Sequence, residues 1–304
     1  MSRVCSVGGQ ALIEGILMRH KNKMAIVIRR KNGELVVKRE TIKAPVGKIK
    51  GLPFIRGLFM LGSSMKVGIK ALTLSASYFE EDDGTAVTED RFEIWMRKIF
   101  KERAEDVLVA FSIFTALLMA VVLFTALPTV IISFLRGLID NVYVLSALEG
   151  VLKMVFFLTY VLLISQMKDV KRVFQYHGAE HKTIHCLEAQ QELTVENVRR
   201  FTTLHPRCGT SFLLFVLIIS IVIFSFITWS NIWMRIGLKV LLLPLIAGIS
   251  YEVLRVSGNS DSSFVKIISK PGLWMQKITT KEPDDAMLEV AITATLSILE
   301  NNEC

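Results

Sequence analysis

The chain of 304 residues is 52% hydrophobic and carries a formal net charge of +8. Its apolar residues concentrate after position 106 and the first 106 residues carry most of the charge, which excludes an ordinary soluble domain and indicates a membrane protein. The basic residues accompany no RNA- or DNA-binding motif, so we expect the lipid bilayer, and not nucleic acid, as a partner. The four cysteines form no Cys-x-x-Cys pair and do not indicate a disulfide framework.

Residues 1–50 are typical of a small β-containing cytoplasmic unit. Two β-branched runs, Met24–Arg29 and Leu35–Lys38, flank the dipeptide Asn32-Gly33. Asn-Gly between such runs is the strongest short signal for a β-hairpin.

The run Gly8–Arg19 precedes this hairpin and has two interpretations. It is either a strand followed by a turn, or a loop whose polar side chains face a site. The side chains in question are Gln10, Glu14 and Arg19.

Residues 51–106 predict interfacial or amphipathic helices around an acidic linker. The apolar run Pro53–Phe79 is too interrupted by basic residues and glycines for a membrane span. It fits an interfacial or re-entrant helix, or a helix packed on the cytoplasmic unit. The acidic run Glu80–Gly84 is typical of a solvated loop, and residues 89–103 show the periodicity of a basic amphipathic helix.

Four membrane spans are predicted in residues 107–256. They are Val107–Phe134, Val142–Met167, Phe212–Trp229 and the shorter Ile236–Tyr251. Pro128 is expected to kink the first span. The second span contains Glu149 and Lys153, an i,i+4 pair whose cost in a membrane suggests either an internal ion pair or a functional role.

Lysine and arginine residues predict the orientation. Twenty precede residue 107, seven lie in the loop 168–211, and the two short opposite loops hold little more than Arg136 and Arg235. The positive-inside rule therefore places both termini and the loop 168–211 in the cytoplasm.

The segments outside the spans are predicted to be helical. The loop 168–211 is expected to begin by extending the second span, and then to form a helix capped by Thr194 that ends near His205-Pro206. The tail 257–304 predicts a helix broken at Pro271-Gly272 and a last helix beginning near Asp285, whose apolar positions pack on the rest of the protein.

A histidine-rich run in the loop 168–211 is the strongest candidate for a functional site. On a helix, three histidines and one carboxylate share a face about 80° wide, and a second carboxylate lies at its margin. These residues are His177, His181, His185, Glu188 and Glu180. Such a face suits a metal ion better than a hydrophobic core. A polar helix face that hydrogen-bonds a neighbouring segment is the alternative.

Helix geometry limits how an ion would bind. His177 and His185 lie about 12 Å apart along the axis, too far to share one ion. Either adjacent pair can share one, with ligands from elsewhere, or the face holds two ions. The spacing of His177, Glu180 and His181 is that of the inverted zincins, in which the glutamate is the general base. Gly178 costs about 1 kcal/mol inside a helix, so the helix is expected to begin or bend there.

Further candidate ligands lie near the predicted membrane surface. His205 and Cys208 precede the third span, and Glu252 follows the fourth. Nitrogen and sulfur ligands favour Zn²⁺, although they also suit other divalent metals.

Four motifs together resemble one bacterial protein family. They are Gly8–Gly15 with Met18-Arg19, Tyr176–Thr183, Leu204–Ser211 and Thr279–Pro283. They are similar to the YqhQ family, multi-pass membrane proteins of unassigned function described as predicted metal-dependent enzymes. The resemblance covers nearly the whole chain and implies a bacterial cytoplasmic membrane location, without implying a substrate.

The sequence thus predicts a mainly α membrane protein with about four transmembrane helices, a small β-containing unit and a helical tail. Two functions stay open. The first is a metal-dependent hydrolase that uses a metal-bound water with Glu180 as the base. The second is a non-catalytic homo-oligomeric channel or scaffold, in which the histidines are structural or form a gate.

Overall fold

The computed structural model describes residues 7–42, 54–83, 91–100, 104–135, 137–227, 231–259 and 262–299. It divides into two compact units. One unit, here called the sheet unit, comprises residues 1–83, 161–216 and 245–304. The other, here called the helical unit, comprises residues 84–160 and 217–244.

An antiparallel sheet of four strands in the order β1-β2-β3-β4 begins the sheet unit. The strands are β1 (Val7–Leu12), β2 (Gly15–His20), β3 (Lys23–Arg29) and β4 (Leu35–Thr41). The predicted Asn-Gly hairpin is confirmed, since Arg29 pairs with Leu35 and Gly33 has a φ of 87°. The run before it forms two strands and a turn, in which Glu14 adopts a φ of 50°.

The described residues also form eleven α-helices. They are α1 (Ile55–Asp83), α2 (Arg91–Phe100), α3 (Ala104–Val121), α4 (Leu127–Leu135), α5 (Val142–Ile164), α6 (Lys168–Glu188), α7 (Val195–Arg199), α8 (Thr210–Ser225), α9 (Ile232–Asn259), α10 (Ser263–Thr279) and α11 (Asp285–Leu296).

Both faces of the sheet are covered, because side chains alternate between the faces along each strand. Met18 and Val27 share one core with residues of α6 and α11. Leu17 and Ile26 belong to a second core with Ala71 of α1. Of the alternatives predicted for α1, packing on the sheet is therefore the one that its buried contact supports.

Four predicted features of the helices outside the spans differ in the structure. Helix α6 is separate from α5, because Met167 has an extended backbone. It also runs unbroken through Gly178. Helix α10 continues through Pro271 with no break, and α1 extends through the acidic residues to Asp83. The predicted Thr194 cap is confirmed, since its side chain accepts from the Asn197 amide. Helix α7 nevertheless ends at Arg199, so its predicted end near His205-Pro206 is a fifth difference.

Three helical segments are long and apolar enough to cross a membrane: Val107–Leu135, Tyr143–Ile164 and Ile232–Ser257. They correspond to the first, second and fourth predicted spans. The remaining predicted span corresponds to α8, which is apolar but has only 16 described residues. The count of four membrane crossings therefore stays a prediction.

The first of these segments contains a local defect where the sequence predicts a kink. A π-helical turn, Val122–Ala126, separates α3 from α4 and ends two residues before Pro128. The Leu127 amide donates to the Val122 carbonyl, five residues earlier. Proline lacks an amide hydrogen and clashes with the preceding turn, so the wider turn accommodates it.

Candidate metal site

The histidine-rich run lies on α6, packed between the sheet and two segments of the same unit. Gly178 explains how close that packing is, because a Cβ there would collide with the Lys281 carbonyl oxygen. The segment after α10 therefore passes directly over the helix, and the Lys281 amide donates to the Phe174 carbonyl at 2.9 Å. This glycine serves close approach rather than a bend.

The structure brings His177, His181 and Cys208 together. Each offers one ligand atom, and these atoms lie within 4.8 Å of one another. Cys208 is buried, and its Sγ lies 3.2 Å from His177 Nε2. Cys208 also accepts from the Thr210 amide at 3.4 Å. We call these three residues the first cluster.

Backbone carbonyls orient both imidazoles of the first cluster. His177 Nδ1 lies 2.9 Å from the Thr279 oxygen, and His181 Nδ1 lies 2.5 Å from the Thr203 oxygen. Because a carbonyl only accepts, each Nδ1 is the protonated nitrogen and each Nε2 keeps its lone pair. Burial lowers the pKa of His181, which favours the neutral imidazole that metals bind.

A second cluster of candidate ligands comprises His185, Glu188 and His205, again with ligand atoms within 4.8 Å of one another. Its carboxylate already has partners: Arg207 donates to Glu188 Oε1, and His205 Nε2 lies 3.5 Å from Oε2. Although burial opposes it, His205 and Arg207 keep the pKa of Glu188 below its usual range.

Glu180 and the first cluster line one cavity of about 360 Å³. Residues Gly8, Gly9 and Gln10 of β1 form part of its wall. Gly9 is required there, since a Cβ would lie 2.9 Å from the Glu180 carboxyl carbon.

Glu180 is a buried carboxyl group of this cavity. Its side chain is 6% exposed, and its Oε2 has no hydrogen-bond partner among the described residues. Burial raises the pKa of Glu180, against the opposing influence of His177 and the Gly9 amide. A carboxyl group held in this way is ready to exchange a proton with a molecule in the cavity.

Several residues that orient the ligands could not be identified from the sequence. Besides the carbonyls of Thr203 and Thr279, Gln276 is fully buried, accepts from the His205 amide at 2.8 Å and donates to the His205 carbonyl at 2.9 Å. Backbone carbonyls carry no sequence signal. The run Thr279–Pro283 did stand out as a motif, although its role was not foreseen.

The other candidate residues lie away from the first cluster. Glu14 pairs with Arg172 and accepts from the Tyr176 hydroxyl at 3.3 Å. Arg19 lies on β2 and contacts the Lys21 carbonyl. Glu252 pairs with Arg56 and accepts from the Phe54 amide at 3.3 Å.

Of the remaining predicted functional residues, Gln10 lines the cavity, whereas Glu149 and Lys153 belong to the helical unit. The Gln10 amide itself packs against α1, since a Cβ at Gly68 would lie 2.2 Å from Gln10 Oε1. The structure therefore does not bring the polar side chains of Gln10, Glu14 and Arg19 together at the candidate site.

Comparison with known proteins identifies the family. A family model described as "Protein of unknown function (DUF1385)" matches residues 52–301. The chain belongs to this family. It is 32% identical over 301 residues to a Bacillus subtilis (strain 168) relative named "Uncharacterized protein YqhQ", covering 96% of this chain and 92% of the relative. The resemblance predicted from the motifs is thus confirmed, and no solved structure matches the chain.

Proposed function

We propose that the first cluster binds a divalent metal ion, with Zn²⁺ the best fit, and that the protein is a metal-dependent hydrolase. The observation that carries this proposal is the orientation of His177 and His181. Both donate through Nδ1 to carbonyls, and both offer Nε2 within 4.8 Å of Cys208 Sγ. Two imidazoles with outer hydrogen-bond acceptors and one sulfur are typical zinc ligands.

The number of ligands favours catalysis over a structural role. Structural zinc sites are closed by four protein ligands, whereas catalytic sites use three and leave a position open. The first cluster supplies three and faces the cavity that Glu180 lines. A zinc ion at this position supplies Lewis-acid activation of water.

Glu180 is the group we assign to proton transfer. Its unpartnered Oε2 would accept a proton from a water molecule in the cavity and return it to the leaving group. Gly9 keeps the space beside this carboxyl group open. The residues therefore support hydrolysis of a polar bond, and they do not identify the substrate.

The second cluster is assigned a supporting role. Arg207 and His205 already satisfy Glu188, so this carboxylate holds His205 and the segment leading to Cys208 in place. A second ion is the alternative, and metal stoichiometry separates the two.

Metal content of the detergent-purified full chain tests the proposal. We expect about one zinc ion per chain in the parent protein, and none in a His177→Ala/His181→Ala variant. His20→Ala is the matched control, because His20 is a buried histidine of β2 outside both clusters. Metal absent from the parent, or retained by the double variant, would overturn the proposal.

A Glu180→Gln variant then separates the base from the ligands. We expect it to keep its zinc while losing the cellular function that the parent gene restores in a deletion strain. Loss of the metal would make Glu180 a ligand, and an intact function would remove it from the mechanism.

A membrane channel or scaffold assembled from several copies is the second candidate. The observation that favours it is a cluster of buried charges in the helical unit around Glu149. Ion flux through liposomes containing the parent protein, altered by Glu149→Ala, would support a channel over a hydrolase.

A further inference from the structure

The helical unit contains a group of buried ionisable side chains that the proposed hydrolase does not use. Glu149 and Lys153 lie on α5, and Arg235 and Lys239 lie on α9. Each of the four is at most 3% exposed, and Thr129 of α4, which is fully buried, joins them. The predicted i,i+4 pair is therefore part of a larger cluster of three cations and one carboxylate.

The cations of this cluster outnumber the carboxylate. Lys239 pairs with Glu149 Oε1, and Lys153 Nζ lies 3.4 Å from the same oxygen. Arg235 lies 2.7 Å from Oε2. Even with the arginine set aside, two ammonium groups share one carboxylate. Burying an uncompensated charge costs several kcal/mol, so an anion beside these described side chains would stabilise their charged forms.

Of the two lysines, Lys153 has its Nζ farther from the Glu149 carboxylate. Lys239 also donates to the Thr129 hydroxyl at 3.0 Å, which fixes it beside Glu149. Lys153 instead faces the ring of Phe224, with Nζ 4.4 Å from its centroid. Lys153 is therefore the cation best placed to bind an additional ligand.

A small cavity lies beside Lys153. It is lined by residues of α5 and α8, among them Ser146, Gly150, Lys153 and Phe224. About 10 Å³ of it is open to the centre of a particle the size of water, so it has room for a single small ligand. The Ser146 side chain is buried, and its hydroxyl has no partner among the described residues. A Cβ at Gly150 would lie against Ile221, so the two helices approach closely and keep this space small.

We infer that this cavity binds a halide ion, chloride in the cell, between the Lys153 ammonium group and the Ser146 hydroxyl. Both groups donate hydrogen bonds, which suits an anion. The cavity excludes phosphate and carboxylate ligands by size. A water molecule is the alternative occupant, with the excess charge then removed by deprotonation of a lysine. The site belongs to the helical unit and does not depend on the metal proposal.

The test is thermal unfolding of the full chain in detergent, compared in sodium chloride and sodium gluconate at equal sodium concentration. A ligand that binds only the folded state raises the Tm with its concentration. We expect chloride and bromide to raise the Tm saturably relative to gluconate, which is too large to enter. Equal Tm values in chloride and gluconate at every concentration would overturn the inference.

Variants locate the response. Lys153→Met removes the ammonium group at similar length, and Ser146→Ala removes the unpartnered hydroxyl. We expect both to lose the difference between chloride and gluconate. Ser133→Ala is the matched control, because this hydroxyl of α4 already donates to the Val130 carbonyl, and it should keep the difference. If Lys153→Met does not fold, Ser146→Ala alone decides, and an unchanged response in it would place the halide elsewhere.

Discussion

Gly178 shows how a single residue supports the candidate site. The backbone that passes over it carries the Thr279 carbonyl, which accepts from His177, and Thr203, which accepts from His181, also lies beside it. The first cluster thus depends on a helix surface with no side chain at this point. The sequence alone indicated only that this glycine destabilises a helix.

Gly178→Ala is therefore expected to damage both stability and metal binding. The new methyl group overlaps the Lys281 carbonyl oxygen, so the free energy of unfolding should fall by about 1–3 kcal/mol, the usual cost of overpacking. Thermal unfolding and zinc content measure the two effects. Gly62→Ala in α1 is the control, since the position is open and alanine favours a helix by up to about 1 kcal/mol. Equal Tm values for the two variants would contradict this account of Gly178.

The two cysteines that the structure describes, Cys186 and Cys208, should respond differently to a thiol reagent. Burial raises the pKa of Cys186, which lowers its reactive thiolate fraction at neutral pH. Cys208 lines the cavity and is proposed to bind zinc. We expect chelation of the metal to expose Cys208 to alkylation while Cys186 stays unmodified, as measured by mass spectrometry of peptides. Alkylation of Cys208 at one rate with and without chelator would argue against zinc on its sulfur.

At the scale of elements, the turn between β1 and β2 is tied to α6. Glu14 in that turn accepts from two guanidinium nitrogens of Arg172, Nε and Nη2, and also from the Tyr176 hydroxyl. The contact fixes the strand that forms the cavity wall against the helix that carries the histidines. Glu14 therefore helps to position the cavity wall, although it lies away from the first cluster.

A double-mutant cycle measures the coupling energy of the Glu14–Arg172 pair. We expect Glu14→Gln and Arg172→Met to show a coupling of about 1 kcal/mol in the free energy of unfolding, at the upper end for a partly exposed pair because the contact is bidentate. Arg200 and Glu196, an exposed pair on one helix, provide the comparison and should couple more weakly. Additive effects of Glu14→Gln and Arg172→Met would show that the tie contributes nothing.

Elements whose formation depends on residues adjacent in sequence could be predicted from the sequence. The Asn32-Gly33 hairpin and the start of α11 at Asp285 follow from turn and cap chemistry. The course of α10 through Pro271 could not be predicted, because tertiary packing outweighs the loss of one hydrogen bond.

The candidate site, too, could be predicted only in part from the sequence. The histidine face of α6 follows from its spacing, but spacing alone left both adjacent pairs of histidines open. Contacts from distant segments select His177 and His181, because Cys208 and two carbonyls meet them there. Likewise, nothing in the sequence indicates that Arg207 already occupies the carboxylate of Glu188.

At the scale of the whole molecule, the sheet unit constrains how the chain crosses the membrane. Its core combines the N-terminal strands, α6 and α11, as seen in the shared burial of Val27, Tyr176 and Leu288. Segments that share one core must lie on one side of the bilayer. An even number of crossings is therefore expected between α6 and α11, where the described helices that are apolar enough are α8 and α9.

We accordingly expect α8 to cross the membrane despite its length. Its 16 residues span about 24 Å, less than the 30 Å of a typical hydrocarbon core, so local thinning of the bilayer is expected around it. Reporter domains fused to each terminus, one active only in the cytoplasm and one only after export, test the topology. Both termini should report the cytoplasm, as the distribution of lysine and arginine also predicts. A C-terminal reporter active only after export would leave α8 outside the bilayer core and would separate α11 from the strands it packs on.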